Sequence, residues 1–175
     1  MQLSSDATQR CANLFKSLDL FVLKVHNRIK PGKVSHDENQ LRYKLRTLWQ
    51  NKPEYVNKFI ALHRHLPEED LQTLQQWNRV RRSLYIVIKY YPEYAVFYSI
   101  ETGLFFGVLA LTNPFSEILS ETLPVIVEAA LLPYEGTIIW DGLVRVSSSK
   151  VDATTAKMLL EACEKGRAEG LIITQ

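Results

Sequence analysis

"ALLPYEGTIIWDG", residues 130–142, consists of two apolar runs joined by a segment that contains Pro and Gly. Short runs rich in β-branched and aromatic residues are typical of strands. Gly136 provides the backbone freedom that a tight turn requires, so the stretch predicts a hairpin. This interpretation accounts for every residue here except Asp141, whose carboxylate follows the second apolar run.

Alternating apolar residues also predict strands on the N-terminal side of this hairpin. Turns at residues 91–93 and 101–103 separate the first runs, as in antiparallel strands joined in chain order. The five predicted strands are Leu84–Tyr90, Tyr94–Ile100, Leu104–Leu111, Leu123–Leu132 and Gly136–Asp141. Phe115 to Ser120 fits one helical turn. We expect an antiparallel five-stranded meander, or a small barrel if the meander closes.

The first half of the chain has the helical period. Apolar residues recur every three or four positions from Asp6 to Ile29, around Leu45, after Pro53 and after Pro67. These stripes predict about four N-terminal helices. One further helix is predicted over residues 153–169, near the C-terminus.

Together these patterns predict an α+β protein. Residues 1–80 form a helical N-terminal region, and residues 81–175 form the sheet with its C-terminal helix. We expect the two regions to behave as one cooperative unit. The composition is 46% hydrophobic and 23% charged, which is typical of a globular protein and excludes intrinsic disorder.

Cellular location is inferred from two negative features and the cysteines. The sequence has no run of eighteen apolar residues and no apolar signal segment, so we expect no membrane interaction. Cys11 and Cys163 fall on apolar stripes and are predicted to be buried free thiols. A reducing cytoplasm fits this cysteine pattern.

The net charge of +2 conceals an uneven distribution. Residues 21–90 contain 14 Lys and Arg against 6 Asp and Glu, whereas residues 91–150 contain 2 against 7. The basic helices of residues 40–82 therefore make nucleic-acid binding one alternative function. The candidate phosphate contacts are Arg42, Lys44, Arg46, Lys52, Arg81 and Arg82. Arg42, Lys44 and Arg46 fall off the apolar stripe and are expected to be solvated.

A second alternative is a hydrolase that uses two carboxylates. Glu128 interrupts an apolar strand, where burial would raise its pKa and suit it to general acid catalysis, and Asp141 would complete a pair. The alternative is that both residues are purely structural: Glu128 meets solvent or an Arg partner, and Asp141 belongs to a turn. The sequence has no nucleotide-binding or hydrolase motif of known spacing, so these two are the only catalytic candidates.

No metal ligands or cofactor are predicted. His63 and His65 are placed on the third helix, where residues two apart point to different faces and do not share an ion. The other histidines, His26 and His36, have no partner at metal-binding spacing.

The segment LPVIVEAALLPYEGTIIWDGLV, residues 123–144, resembles a segment of uncharacterised prokaryotic proteins. The shared features are an apolar strand, LLP followed by an aromatic residue, a Gly, and an aromatic residue followed by Asp-Gly. The resemblance covers the sheet and not the helices. It implies a reusable sheet module and no particular activity.

The mismatch between a well-specified core and a missing catalytic constellation favours a non-enzymatic protein-interaction or assembly module. Its partner is expected to be another protein or a second copy of the chain. Strands 104–111 and 123–132 are apolar on both faces, and one C-terminal helix covers only part of such a sheet. We therefore predict a homodimer in which the sheet or residues 171–173 contribute to the contact.

Overall fold

The computed structural model describes residues 3–26, 38–119 and 122–175. They divide into two compact units, a helical unit, Ser4–Arg81, and a sheet unit, Arg82–Gln175. The predicted end of the first helix at Ile29, and His36, lie outside the described residues. No helix among the described residues has the length and apolar character needed to span a bilayer.

The helical unit consists of α1 (Ser5–His26), α2 (Glu38–Asn51), α3 (Pro53–Leu62) and α4 (Glu68–Trp77). Proline occupies the first position of α3, where its missing N–H costs no hydrogen bond. Three acidic residues, Glu68 to Asp70, occupy the first turn of α4, where the helix dipole favours negative charge.

A column of stacked planar groups forms the core of the helical unit. The rings of Phe15 and Trp77 stack with centroids 4.4 Å apart, and Trp49 lies 6.4 Å beyond Trp77. All three rings are buried. Each comes from a different helix, so the column ties α1, α2 and α4 together, and stacked aromatic pairs contribute beyond the area that they bury.

The sheet unit contains seven strands and two helices among its described residues. They are β1 (Ser83–Tyr90), β2 (Ala95–Ser99), β3 (Phe105–Leu109), α5 (Phe115–Ile118), β4 (Val125–Ala129), β5 (Leu131–Tyr134), β6 (Thr137–Trp140), β7 (Arg145–Val146) and α6 (Ala153–Ala168). The α+β class is confirmed. With α5 counted, the described residues hold six helices, one more than the four N-terminal helices and the C-terminal helix that were predicted.

The prediction of an antiparallel five-stranded meander is wrong. The strand order is β5-β6-β3-β2-β1-β4-β7, and β3 and β6 run parallel. Strands β1 to β3 follow the predicted hairpins, but β4 returns to lie beside β1, which is the Greek-key arrangement. The connection between β3 and β4 contains α5 and is too long for a tight hairpin, so neighbours in sequence are not neighbours in the sheet.

The sheet curls into a half-barrel because β4 and β5 are almost continuous. Only Ala130 separates these two strands, yet β4 pairs with β1 and β5 pairs with β6. In a flat sheet of this order, β4 and β5 would lie five strand spacings, or about 24 Å, apart. One residue cannot span that distance, so the chain bends at Ala130 and the sheet curves back on itself.

Alternate residues of the strands fill two apolar clusters, one on each face of the sheet. Inside the curl, Val87, Phe97 and Trp140 pack with side chains from most of the other strands. On the outer face, Ile86 and Val96 pack beneath Cys163 of α6. Cys11 and Cys163 are buried free thiols, as predicted.

The C-terminal residues continue from α6 onto the sheet. Gly170 has a φ of +70° and reverses the chain after the helix. Ile173 then donates its amide to Phe105 and accepts from Gly107, at 2.9 and 2.8 Å, which forms a parallel bridge with β3. Residues 171–173 were predicted to contribute to a dimer contact, and in the structure Ile173 pairs with β3 of its own chain.

Candidate functional site

The six basic candidates for nucleic-acid contact occupy two different environments. The side chains of Arg42, Lys44, Lys52 and Arg81 are exposed. Arg42 pairs with Glu38 one turn earlier in α2. Arg46 is buried, and the side chain of Arg82 is 5% exposed. The six residues therefore do not form one exposed basic surface.

The expectation that Arg46 of α2 is solvated is wrong, because its side chain is buried. Its Nε lies 3.3 Å from the Asp19 carboxylate, which also accepts a 3.0 Å hydrogen bond from the indole of Trp49. The guanidinium carbon also lies 3.9 Å from the centroid of the Phe15 ring, so Arg46 contacts the aromatic core. A planar cation combines ion pairing with stacking, which allows it to occupy a position where a solvated charge was predicted.

Arg82 was a candidate for nucleic-acid contact and Asp141 a candidate catalytic carboxylate, and the two side chains contact each other. Nη2 of Arg82 lies 2.8 Å from Oδ2 of Asp141, and it also donates to the Leu143 carbonyl at 2.9 Å. The other Asp141 oxygen accepts from the Leu143 amide at 3.2 Å. This arrangement fixes the turn after β6 to the start of β1, which is a structural role.

Glu128 and Asp141 are presented differently by the sheet. Glu128 is half-buried on β4 and lies directly opposite Arg145 of β7 in the strand register. Asp141 is fully buried. Opposite charges on facing residues of paired strands favour the pairing. The register places Glu128 and Arg145 opposite each other near the end of β4.

A groove runs along α1 in the helical unit, and we call it the α1 groove. Its volume is about 690 Å³. Helix α1, the end of α3, the turn that follows α3 and the start of α4 form its walls. The lining residues are Asp6, Gln9, Arg10, Asn13, Leu14, Ser17, Leu20, Phe21, Lys24, Phe59, His63, His65, Leu66 and Asp70.

Arg10 links two walls of the α1 groove. Its guanidinium lies 2.7 Å from Asp70 and 2.8 Å from Glu69, both on α4. The hydrogen bonds that Arg10 donates to the Glu69 and Asp70 carboxylates raise its pKa above the ordinary value. The Asp70 carboxylate is largely buried, so this linkage holds the start of α4 against α1.

His63 and His65 lie together in the α1 groove, contrary to the prediction that they diverge. Helix α3 ends at Leu62, so both histidines belong to the turn that follows. Their ring centroids are 5.8 Å apart. The prediction assumed that the helix continued through residue 65. Pro67 was the available signal, because the residues before a proline are disfavoured in helices and α4 begins just after it.

Among the described residues that line the groove, none makes the contacts of a hydrolytic triad. Nδ1 of His63 lies 2.8 Å from the Phe59 carbonyl, so this nitrogen carries its proton for a backbone acceptor and not for a carboxylate. Asp70 binds Arg10 instead of either histidine. A catalytic histidine needs a second group that orients it toward a nucleophile. Over residues 3–26, 38–119 and 122–175, no cluster of three or more His, Cys, Asp or Glu side chains is placed to hold a metal ion.

The outer face of the sheet unit carries its own cluster of ionisable groups. The Tyr91 ring lies 4.1 Å from the guanidinium of Arg167 and 5.0 Å from the ammonium of Lys89, which pairs with Glu164. Burial raises the pKa of the Cys163 thiol, and burial also raises the pKa of Tyr91. A buried thiol that is held protonated is a weak nucleophile.

Comparisons with protein-family models, with curated proteins and with solved structures gave no match for this chain.

Proposed function

We propose that this protein is a non-enzymatic interaction module and that the α1 groove binds a polypeptide segment of a protein partner. The supporting observation is the shape of the groove. Its lining residues on α1 recur every three or four positions from Asp6 to Lys24, along one face of the helix. At 1.5 Å per residue, this face is about 27 Å long. An elongated groove suits a helix or an extended segment better than a compact metabolite.

The chemistry of the groove supports a polypeptide partner. Leu20 is 46% exposed beside Phe21, and polar Asn13 and Ser17 precede them along the same face. An apolar contact flanked by hydrogen-bonding groups is the usual composition of a protein interface. Asp6 and Asp70 offset Arg10 and Lys24, so the groove has no basic excess for a phosphate backbone.

Site-directed photo-crosslinking tests the proposal. A benzophenone amino acid at Ser17 places the reactive group inside the groove, and the same amino acid at Ala12 serves as the matched control. Ala12 is exposed on the same helix but does not line the groove. We expect a protein crosslink from position 17 in the native cells, no equivalent from position 12, and its loss in a Leu20→Glu background. Equal crosslinking from both positions would contradict the proposal.

Nucleic-acid binding is the second candidate function. It is supported by four exposed cations: Arg42, Lys44, Lys52 and Arg81. Lys44 and Lys52 are exposed and take no part in the buried ion pairs, so Lys44→Glu and Lys52→Glu test it without disturbing the core. If this candidate is correct, the double variant lowers affinity for DNA or RNA and reduces the salt slope by about one unit per lost phosphate contact. An unchanged slope would remove both lysines from this function.

Self-association is the remaining alternative for the partner. The homodimer was predicted from an open sheet with a bare face, and the sheet is instead curled with α6 on its outer face. A dimer would therefore use other exposed apolar residues, such as Leu84 and Ile100. Light scattering at increasing protein concentration distinguishes a dimer from a monomer.

A further inference from the structure

The α1 groove contains two imidazole rings beside each other, His63 and His65. We propose that they form a binding site for one late first-row transition-metal ion, Zn²⁺, Ni²⁺ or Cu²⁺. Imidazole nitrogen is the protein ligand that suits all three ions. The inference goes beyond the proposed function, because metal binding by the isolated protein requires no partner polypeptide.

The spacing of the rings fits a shared ion. Their centroids lie 5.8 Å apart, with the ring planes inclined by 47°. A metal about 2.1 Å from an imidazole nitrogen lies about 3.2 Å from the ring centroid, so two rings on one tetrahedral ion have centroids about 5 Å apart. The rings therefore need to approach by less than about 1 Å. His65 is exposed in the turn, and rotation of its side chain provides this movement.

A backbone contact prepares His63 as a ligand. Its Nδ1 lies 2.8 Å from the Phe59 carbonyl oxygen, and a carbonyl only accepts, so the proton resides on Nδ1. The lone pair of the neutral ring is then on Nε2. Histidines that bind metals usually donate their other ring N–H in this way, which fixes the tautomer and the ring orientation.

Aromatic neighbours hold the ring plane of His63. The ring stacks on Phe59 with centroids 4.1 Å apart, and the Phe21 ring meets it edge-on at 6.2 Å. An ordered ligand loses less conformational entropy when the ion binds.

The protein supplies two ligands to this ion, so the remaining coordination positions are open to water or to an incoming side chain. Asp70, a buried residue of the groove lining, is bound by Arg10. A two-imidazole site of this kind binds more weakly than a structural zinc site with four protein ligands. An ion with open positions in the groove would accept a histidine or a carboxylate of a bound partner segment.

Isothermal titration of the untagged protein with Zn²⁺ and Ni²⁺, and electron paramagnetic resonance of its Cu²⁺ complex, test the site. We expect one ion per chain, and nitrogen hyperfine structure from two imidazoles in the copper spectrum. His63→Gln and His65→Gln should each lower the affinity by about tenfold or more, because each removes one of two ligands. His26→Gln is the matched control, since His26 belongs to the same helical unit but contacts Tyr55 and does not line the groove.

Circular dichroism of each variant establishes that its helices remain folded. Folded His63→Gln and His65→Gln variants that bind as tightly as the unaltered protein would overturn the site. An equal loss in His26→Gln, or the absence of one-to-one binding in the unaltered protein, would also overturn it. The crosslinking result at Ser17 is independent of the metal, so the two proposals fail separately.

Discussion

Arg82 and Asp141, 59 residues apart in the chain, form a 2.8 Å ion pair in which the two side chains are 5% and 0% exposed. The pair joins the residue before β1 to the residue after β6. A buried ion whose partner is removed is left without compensation, which is far more costly than the loss of a surface pair. Substitution of either residue is therefore expected to lower the stability of the fold, whether or not a ligand is present.

Arg82→Ala is predicted to lower the free energy of unfolding by about 3–5 kcal/mol, because the Asp141 carboxylate is then buried without its cation. Urea unfolding monitored by circular dichroism measures the change. Arg81→Ala is the matched control: Arg81 is exposed, and its loss should cost about 0.5 kcal/mol or less. Similar losses in the two variants would show that the ion pair is not what stabilises this region.

Arg46 and Arg42 of α2 allow the same comparison between a buried and an exposed arginine. Arg46→Ala removes both the partner of the buried Asp19 and the cation over Phe15, so we expect a loss of about 3–5 kcal/mol. Arg42→Ala removes only an exposed pair with Glu38, worth about 0.3–0.5 kcal/mol. Denaturant unfolding of the two variants measures the two losses in the free energy of unfolding. If Arg46→Ala is as mild as Arg42→Ala, the buried network contributes nothing net.

Gly107 is predicted to be the least replaceable residue of β3. A Cβ at this position would lie 2.9 Å from Cγ2 of Thr174 and 3.0 Å from Cγ of Tyr94. Gly107→Ala should therefore destabilise the sheet unit by about 1–3 kcal/mol through overpacking. It should also release the tail, seen as faster hydrogen exchange at the Ile173 amide, which bonds to Phe105.

The double variant Gly107→Ala with Thr174→Ala tests this cause. It removes the closer of the two clashes and should recover part of the lost stability. No recovery would indicate that the tail is not what the new methyl group meets.

Alkaline pH is predicted to weaken the sheet unit through Tyr85. Burial, with a smaller effect from Glu101, raises the pKa of Tyr85 from 10.0 to about 12. The neutral phenol is favoured by folding, so its contribution is complete below pH 10 and is lost as the pH rises through 12. Tyr85→Phe should flatten the decline of stability over this interval. Unfolding curves at several pH values measure it, and an unchanged slope would contradict the assignment.

Local patterns in the sequence predicted the α+β class, the N-terminal and C-terminal helices and the first three strands of the sheet. The hairpin of residues 130–142 is present, and its turn places Glu135 and Gly136 at positive φ, at 48° and 71°. The bend at Ala130 was not predictable, because the apolar residues on both sides of Ala130 carry no local sign of where the chain changes pairing partner. The same limit concealed the parallel contact between β3 and β6.

The candidate site could be predicted only in part for a related reason. Charge counts identified Arg46 and Arg82 as cations but not their buried partners, which are 27 and 59 residues away. His63 and His65 were visible in the sequence, and the position of one helix end decided whether their rings meet. Helix ends are set by tertiary contacts as well as by local sequence, so their exact position is the least secure part of a prediction.

The bend at Ala130 also bears on how the chain acquires its structure. The two halves of this strand are held by Ser83–Tyr90 on one side and by Thr137–Trp140 on the other, so closing the curl joins the local hairpin of β5 and β6 to β1 and β3, which are distant from it in sequence. Closing such large loops is entropically expensive, and folding rates fall as the mean sequence separation of contacts rises. The hydrogen bonds within each helix before Arg82 are local, so these helices are expected to form first, which leaves the curled sheet as the slow step of folding.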